Sequence, residues 1–494
     1  MNYILYDLYS ILLEIYILLN IVVLLIYGVF FSSVIAAGFP ILSTNLSRLS
    51  IQILLLSFFL TISQEFISLL SWNNFLISDN FSYGAQLIIL LVVISWLFLI
   101  FLYSFQQKII SFEFWILILL AVISMLLIVR AYDLLSIYLT LELQALIFYI
   151  LASFKRTSEF STEAGLKYFV LGAFASALLL FGSSLIYGLT GISNLNDFSK
   201  LFTGFFIDYS FVSTGVKVGL TFIIVALLFK ITASPFHMWA PDVYEGSMIT
   251  ITAFFSTIPK LTAFSVLFRL LFFSFFDYID WWSLIILPCI VLSLTVGTLG
   301  AFTQAKWKRF MAYSSINHIG FLLLGLMAGT TLGIFSTLFY LLIYLVTTMG
   351  TFGFIMSLKQ YRYPKVYQVR YLNDLVMLST TNPVLATTIL IFLFSMAGIP
   401  PLAGFFSKWF VLLIAIQNNS IGISVIAISM SCIACFYYIR LVKSVYFDKK
   451  IYWPILLKVD KSTSLILGLS TVILIGLCLD LELITSISTF MSIL

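Results

Sequence analysis

Five ionisable side chains stand inside runs that are otherwise apolar: Glu142 in "YLTLELQALIFYI", Lys167 in "GLKYFVLGAFAS", Lys230 in "ALLFKITASPFH", Lys260 in "STIPKLTAF" and Lys408 in "AGFFSKWF". A charge at mid-bilayer costs about 2.5–3.5 kcal/mol on insertion scales, so five of them sum to roughly 12 kcal/mol or more. That sum argues against accidental placement. A desolvated amine holds its proton less tightly, and a nearby carboxylate restores the hold. A lysine–glutamate pair within a helix bundle is therefore a device whose protonation can be switched, and the chemistry it offers is proton transfer. Plainer roles stand beside this one. Lys167 lies near a loop and can snorkel to the interface, Lys230 can anchor a helix end, and Lys260 and Lys408 can be structural. Glu65, near the end of an apolar run, is an ambiguous further acid.

The chain has only two histidines, His237 just past Lys230 and His318 in "AYSSINHIGF". Each reads equally as a satisfied polar group or a secondary proton carrier. Cys432 and Cys435 form a C-x-x-C with no second pair and no nearby histidine, which reads as two small residues on one helix face rather than a metal site. Haem, iron–sulfur and zinc ligation by this chain alone are not expected. Asp242 and Glu245, in "WAPDVYEG", are expected to shape a loop and cap the following helix.

Prolines punctuate the same regions. Pro235 follows Lys230, Pro259 directly precedes Lys260, and Pro400 and Pro401 precede Lys408. Helices broken within a membrane are tolerated where the freed backbone groups line a wet cavity. The helix carrying Lys230 is expected to open near Ser234–Pro235, and the one leading to Lys408 near Gly398–Pro401.

The elements that must position these groups follow from composition. Of 494 residues 62% are hydrophobic and 9% charged, and mean hydropathy is +1.14. Water-facing domains carry roughly a quarter charged residues, so the chain reads as an all-α polytopic membrane protein. Apolar runs long enough to span number about 14, at approximately 9–31, 50–71, 86–105, 114–130, 132–153, 164–190, 216–234, 247–273, 281–302, 309–328, 331–357, 383–416, 420–444 and 463–484. Spans seven and twelve are the broken ones, five apart in order. That fits two inverted five-helix repeats, spans 4–8 and 9–13. The division implied is residues 1–113 for the first three spans, 114–280 and 281–446 for the repeats, and 447–494 for a loop and last span.

Of 25 basic residues, four are the intramembrane lysines, four (Arg130, Lys200, Lys217, Arg269) fall in loops after even-numbered spans, and the other 17 follow odd-numbered spans. The positive-inside rule then places both termini on the positive side of the membrane. The N-terminus "MNYILYDLYS" has no basic region before its apolar run and no Arg-rich amphipathic stretch, so a cleaved signal or transit peptide is not expected. The abundance of Phe, Ile, Leu and Tyr is compatible with an AT-rich organelle genome.

Several stretches, in order from about residue 130 to 415, resemble a known family: "LELQAL", "LKYFVLGAFASALLLFG", "FKITASPFHMWAPDVYEG", "STIPKLTAF", "KRFMAYSSINHIGF" and "SMAGIPPLAGFFSKWF". The chain resembles the antiporter-like membrane subunits of proton-pumping NADH:ubiquinone oxidoreductase, respiratory complex I. The resemblance implies that Glu142 partners Lys230, that Lys260 is the central relay lysine and Lys408 the lysine near the exit, and that Lys167 is a lesser one. It implies no cofactor in this chain, with NADH, FMN, iron–sulfur clusters and ubiquinone bound by other subunits. The implied partners are other membrane-arm subunits, including a neighbouring antiporter-like one, and lipid, with no nucleic acid. The implied location is the mitochondrial inner membrane, or a bacterial plasma membrane. Met248 stands where the family usually has proline, which suggests a local change in how span eight begins. A stand-alone cation/proton antiporter, or a purely structural membrane subunit, remains as an alternative.

Overall fold

The structure, a computed structural model, describes residues 2–32, 41–64, 68–107, 109, 111–204, 211–362, 365–449 and 455–493; Glu65 lies outside them. Among the described residues nearly everything is helix, as a lipid environment requires: a helix satisfies its backbone groups within one segment. Twelve helices among these residues are long and apolar enough to cross a membrane. The remaining expected spans are also helical. Trp307–Leu326 has full length but opens on Lys308 and Arg309, and expected span twelve is two shorter helices, Pro383–Ala397 and Ala403–Gln417. Two small antiparallel hairpins, Leu69–Ser71 with Leu76–Ser78 and Lys359–Arg362 with Lys365–Gln368, were not anticipated.

The second span differs from its expected extent of 50–71. Its helix is Ile41–Ser63 and its apolar tail "LLS" is a strand. The polar stretch "STNLSRLS" dilutes hydropathy, yet its serines enter the helix with their hydroxyls satisfied. Ser47 donates to Thr44 O at 2.7 Å and Ser50 to Ser47 O at 2.8 Å. The final span is likewise two helices, Lys461–Leu479 and Glu482–Ser492.

Two compact units emerge. The first comprises Met1–Lys230, Ile258–Trp282 and the last two residues. Glu113–Arg130 is its central helix, buried along most of its length and packed against Leu12–Ser32, Asn80–Gln106 and Leu134–Ala152. Leu134–Ala152 begins at a sharp cap, where Asp133 accepts the Leu135 N–H at 2.8 Å and its own N–H bonds the Ser136 hydroxyl. That cap fixes the helix on which Glu142 rides, at its ninth of 19 residues. The second unit comprises Ile231–Thr257 and Ser283–Ser492. Its hub is Thr331–Ser357, against which Trp307–Leu326, Pro383–Ala397, Ala403–Gln417, Lys461–Leu479 and Glu482–Ser492 all pack.

Candidate functional site

Both expected helix breaks are present. Phe211–Ile231 ends one residue after Lys230, and helix resumes at Trp239. Between them Thr232 has a φ of +66° and the Ser234–Pro235 peptide is cis. Pro383–Ala397 ends at Gly398, with a φ of +80°, and helix resumes at Ala403 past a cis Pro400–Pro401 bond. Each proline removes a backbone donor and cannot continue the ladder.

Within the first unit, the half-buried Lys230 sits in the last turn of its helix, where the dipole favours a cation. Its Nζ donates to the Leu141 carbonyl at 3.3 Å, one residue from Glu142. Among the described residues no ion pair joins Lys230 to Glu142 directly, and Glu142 is half-buried. A cavity of about 30 Å³ opens beside the lysine, lined by Leu141, Gln144, Tyr149, Lys230 and Pro259. It has room for a water or two. Gln144 reaches toward Thr262 Oγ1 at 3.5 Å, on the helix that carries Lys260.

Lys260 is 2% exposed. Its span, Ile249–Ser274, is the most buried of those long enough to cross. Lys260 lies eleven residues from the start of that span, about 16 Å of helix rise, roughly half the thickness of a hydrocarbon core. Lys167 differs: it is exposed and bridges to Glu163 at 2.8 Å, one turn earlier on its own helix. That is an i,i+4 pair on the outer face of the helix.

Within the second unit, Lys408 is buried. Its Nζ donates to the Ala397 carbonyl at 2.7 Å, the last residue before the break, and lies 5.4 Å from the Phe321 ring centroid. Glycines make the room. A Cβ on Gly398 would meet Lys408 Cδ at 2.8 Å, and one on Gly404 would collide with the Ser395 carbonyl oxygen. His318 is also buried. Its Nδ1 lies 2.7 Å from the Tyr340 hydroxyl and its Nε2 3.4 Å from that of Tyr438. His318, Tyr340, Ser395, Ser407 and Lys408 share a cavity of about 10 Å³, room for one water. The structure thus brings His318 and Lys408 together, and it supplies two tyrosines that sequence reasoning missed.

His237 lies in the first break and is 6% exposed. Burial holds it below the ordinary imidazole range, and a hydrogen bond with the Pro235 backbone partly offsets this. Asp242 and Glu245 belong to the short helix Trp239–Gly246, and they do more than shape a loop. Arg309 bridges both carboxylates, Lys306 pairs with Glu245, and Lys308 donates to the Glu245 and Ser247 carbonyls. This network ties the short helix to the start of Trp307–Leu326.

Arg130 and Arg269, expected in loops, are instead buried. Arg130 pairs with Glu14 at 3.1 Å, the two side chains being 7% and 3% exposed, and Gln86 donates to the same carboxylate. Arg269 pairs with Asp79 at 3.0 Å. Loop placement failed because Arg130 ends an apolar run and Arg269 lies near the end of one, where a buried partner distant in sequence is invisible. For Glu14 there was a signal: it too interrupts an apolar run.

Long helices, two broken ones and lysines set against backbone carbonyls at or near the breaks define an antiporter-like proton- or cation-translocating membrane protein. Comparison with known proteins agrees. Residues 131–434 match the family described as NADH:quinone oxidoreductase/Mrp antiporter, TM, and the chain belongs to that family. It is 43% identical over 460 residues to NADH-ubiquinone oxidoreductase chain 2 of Marchantia polymorpha, covering 92% of each chain. It is 40% identical over 380 residues to NADH-quinone oxidoreductase subunit N of Rhodospirillum rubrum, covering 77% of this chain and 76% of the other. Among solved structures, a chain of respiratory complex I from Thermus thermophilus with bound aureothin matches at a TM-score of 0.78 and 26% identity, over 96% of this chain and 98% of that one. A chain of the Mrp complex from Dietzia sp. shares the fold, with a TM-score of 0.82 at 18% identity over 98% and 97%.

Proposed function

We propose that the chain is the antiporter-like, proton-translocating membrane subunit of an NADH:ubiquinone oxidoreductase, the chain 2 or subunit N member of its family. It works beside other membrane-arm subunits, one of them a neighbouring antiporter-like subunit. The membrane is the mitochondrial inner membrane or, as for the bacterial relatives, the plasma membrane. Electron transfer from NADH to ubiquinone takes place on other subunits, which hold NADH, FMN, the iron–sulfur clusters and the quinone. This chain moves protons. The repeats at 114–280 and 281–446 each contribute one broken helix.

The observation that carries this reading is the placement of lysines against backbone carbonyls at or near helix breaks: Lys230 on Leu141 O, and Lys408 on Ala397 O across its own break. An ammonium held by a neutral carbonyl, with no carboxylate bonded to it, can lose its proton without leaving a buried anion behind. In the proposed cycle, separation of Glu142 from Lys230 weakens the lysine's hold on its proton. The three lysines then act in sequence, Lys230, Lys260 and Lys408, with Lys167, His237 and His318 secondary. His318 and its two tyrosines give Lys408 a polar neighbour able to accept or donate.

The test is purification of the chain from its native membrane. Co-purification with flavin, and with NADH-dependent quinone reduction coupled to proton uptake, supports the proposal. Cation/proton exchange by the chain without those partners would establish a stand-alone antiporter instead. Full pumping after neutralising the lysines would leave only a structural subunit.

A further inference from the structure

The helix that carries Lys260 is held at its far end by groups the relay does not use. Ile249–Phe268 runs directly into a π-helical turn, Arg269–Ser274. Arg269 opens that turn and is 2% exposed. Its guanidinium donates to Asp79 Oδ1 at 3.0 Å and lies 5.7 and 5.9 Å from the ring centroids of Phe81 and Tyr132. Asp79 is itself fixed. It caps Asn80–Gln106 reciprocally, its Oδ1 accepting the Ser82 N–H at 2.8 Å while its own N–H donates to the Ser82 hydroxyl at 2.8 Å. Arg269 therefore grips an anchor that belongs to the start of another helix.

The lysine helix needs such a grip. Pro259 removes the backbone donor immediately before Lys260, so the ladder is weakest where the lysine is attached. A π-turn departs from the i→i+4 pattern, and such turns concentrate at functional sites. From Lys260 to Arg269 the helix runs without a proline for nine residues, roughly 13.5 Å. Height and rotation imposed at Arg269 are thus transmitted to Lys260. We propose that Asp79 and Arg269 are positioning residues that set the register of Lys260 for proton transfer. This inference rests on Lys260 acting as a relay.

The test uses the assembled enzyme in proteoliposomes, with NADH-driven proton uptake and the solvent deuterium isotope effect measured per assembled complex. A displacement of about 1 Å at a reacting group can cost on the order of 10²-fold. Asp79→Asn and Arg269→Lys are therefore expected to slow coupled turnover roughly ten- to a hundredfold and to raise the isotope effect, as proton transfer becomes limiting. Asp79→Asn keeps the cap and removes the charge, whereas Asp79→Glu, which keeps the charge that pairs with Arg269, is expected to restore most of the rate. Glu14→Gln is the control: it breaks the other buried ion pair of the same unit, which is not on the lysine helix, and is expected to lower the amount assembled without changing the isotope effect. If Asp79→Asn does not assemble, Arg269→Lys gives the slowed readout and Asp79→Glu the restored one. Wild-type turnover and isotope effect in Arg269→Lys, or an equal isotope effect in Glu14→Gln, would overturn the proposal. A normal Arg269→Lys beside an inactive Lys260→Met overturns only the positioning role, whereas a fully pumping Lys260→Met removes the relay on which it rests.

Discussion

Lys408 donates to the carbonyl of Ala397 at 2.7 Å, reaching back across the Gly398–Leu402 break to the end of the preceding helix. The break frees that carbonyl, and the lysine occupies it. Gly398 makes the reach possible twice over, by its φ of +80° and by leaving space where a Cβ would sit 2.8 Å from Lys408 Cδ. Gly398→Ala should therefore do two things. The left-handed conformation costs roughly 1–2 kcal/mol for a residue with a side chain, lowering thermal stability. The lysine should also be displaced, lowering proton uptake per assembled complex. Wild-type pumping in the destabilised variant would separate the two effects and count against the role of this contact.

Lys260 is the most buried of the three lysines proposed to form the relay, at 2% exposure. Lys260→Met should abolish coupled proton uptake and slow quinone reduction with it. Lys260→Arg should fare little better, because a guanidinium stays protonated at any working pH. Turnover by purified variant complexes in sealed vesicles decides the matter, and an arginine variant pumping at the wild-type rate would end the relay reading.

Both termini are expected on the positive side of the membrane. The structure sharpens the argument. Two of the four cations assigned to positive-side loops, Arg130 and Arg269, are buried in ion pairs, which leaves Lys200 and Lys217 as the only cations of that group not so buried. The excess on the other side is therefore larger than a bare loop count suggests. A C-terminal tag should be cleaved by protease added to the positive face of sealed membranes; its protection there would refute the topology.

What was legible in the sequence follows a physical divide. Proline chemistry is local, so Pro235 and Pro400–Pro401 announced both helix breaks, and the cost of a charge in lipid singled out Lys230, Lys260 and Lys408, which the fold buries wholly or in part. Partnerships distant in sequence were not legible. Arg130 meets Glu14, Arg269 meets Asp79, and His318 meets Tyr340 and Tyr438 only through the packing of helices. Hydropathy also misjudged Ile41–Ser63, because its serine hydroxyls bond carbonyls of their own helix. Lys167 shows the opposite limit, an intramembrane lysine by sequence that the fold turns outward onto Glu163.

His237 gives a pH dependence whose direction can be stated. Burial lowers its folded-state pKa below the ordinary imidazole value of about 6.5. The unfolded chain therefore binds this proton at higher pH than the folded chain does. The stabilisation is complete above about pH 6.5 and is lost as pH falls below it toward the folded pKa. Unfolding of the detergent-solubilised protein should accordingly be easier near pH 5 than near pH 7.5, and His237→Gln should flatten that difference. Equal pH dependence in the two proteins would show that His237 is not the group responsible.

Glu142 and Lys230 are the pair whose separation is proposed to drive the cycle, and here they stand apart: the ammonium bonds Leu141 O, the carbonyl one residue from the acid. A modest rearrangement, the lysine exchanging that carbonyl for the neighbouring carboxylate, would close the pair. At an effective dielectric of about 20, drawing a unit charge from about 8 to 4 Å changes the Coulomb energy by roughly 2 kcal/mol. That change is sufficient to bias where the proton resides. The cavity of about 30 Å³ beside Lys230 leaves room for a bridging water. Glu142→Gln should then slow or uncouple pumping more than Glu142→Asp, because only the second retains a charge able to attract the lysine. Structures of the working enzyme, trapped with NADH and quinone present, should contain at least one state with carboxylate and ammonium within hydrogen-bond or one-water distance. If every trapped state keeps Lys230 on the Leu141 carbonyl, and Glu142→Gln pumps as well as Glu142→Asp, the pair is not the switch.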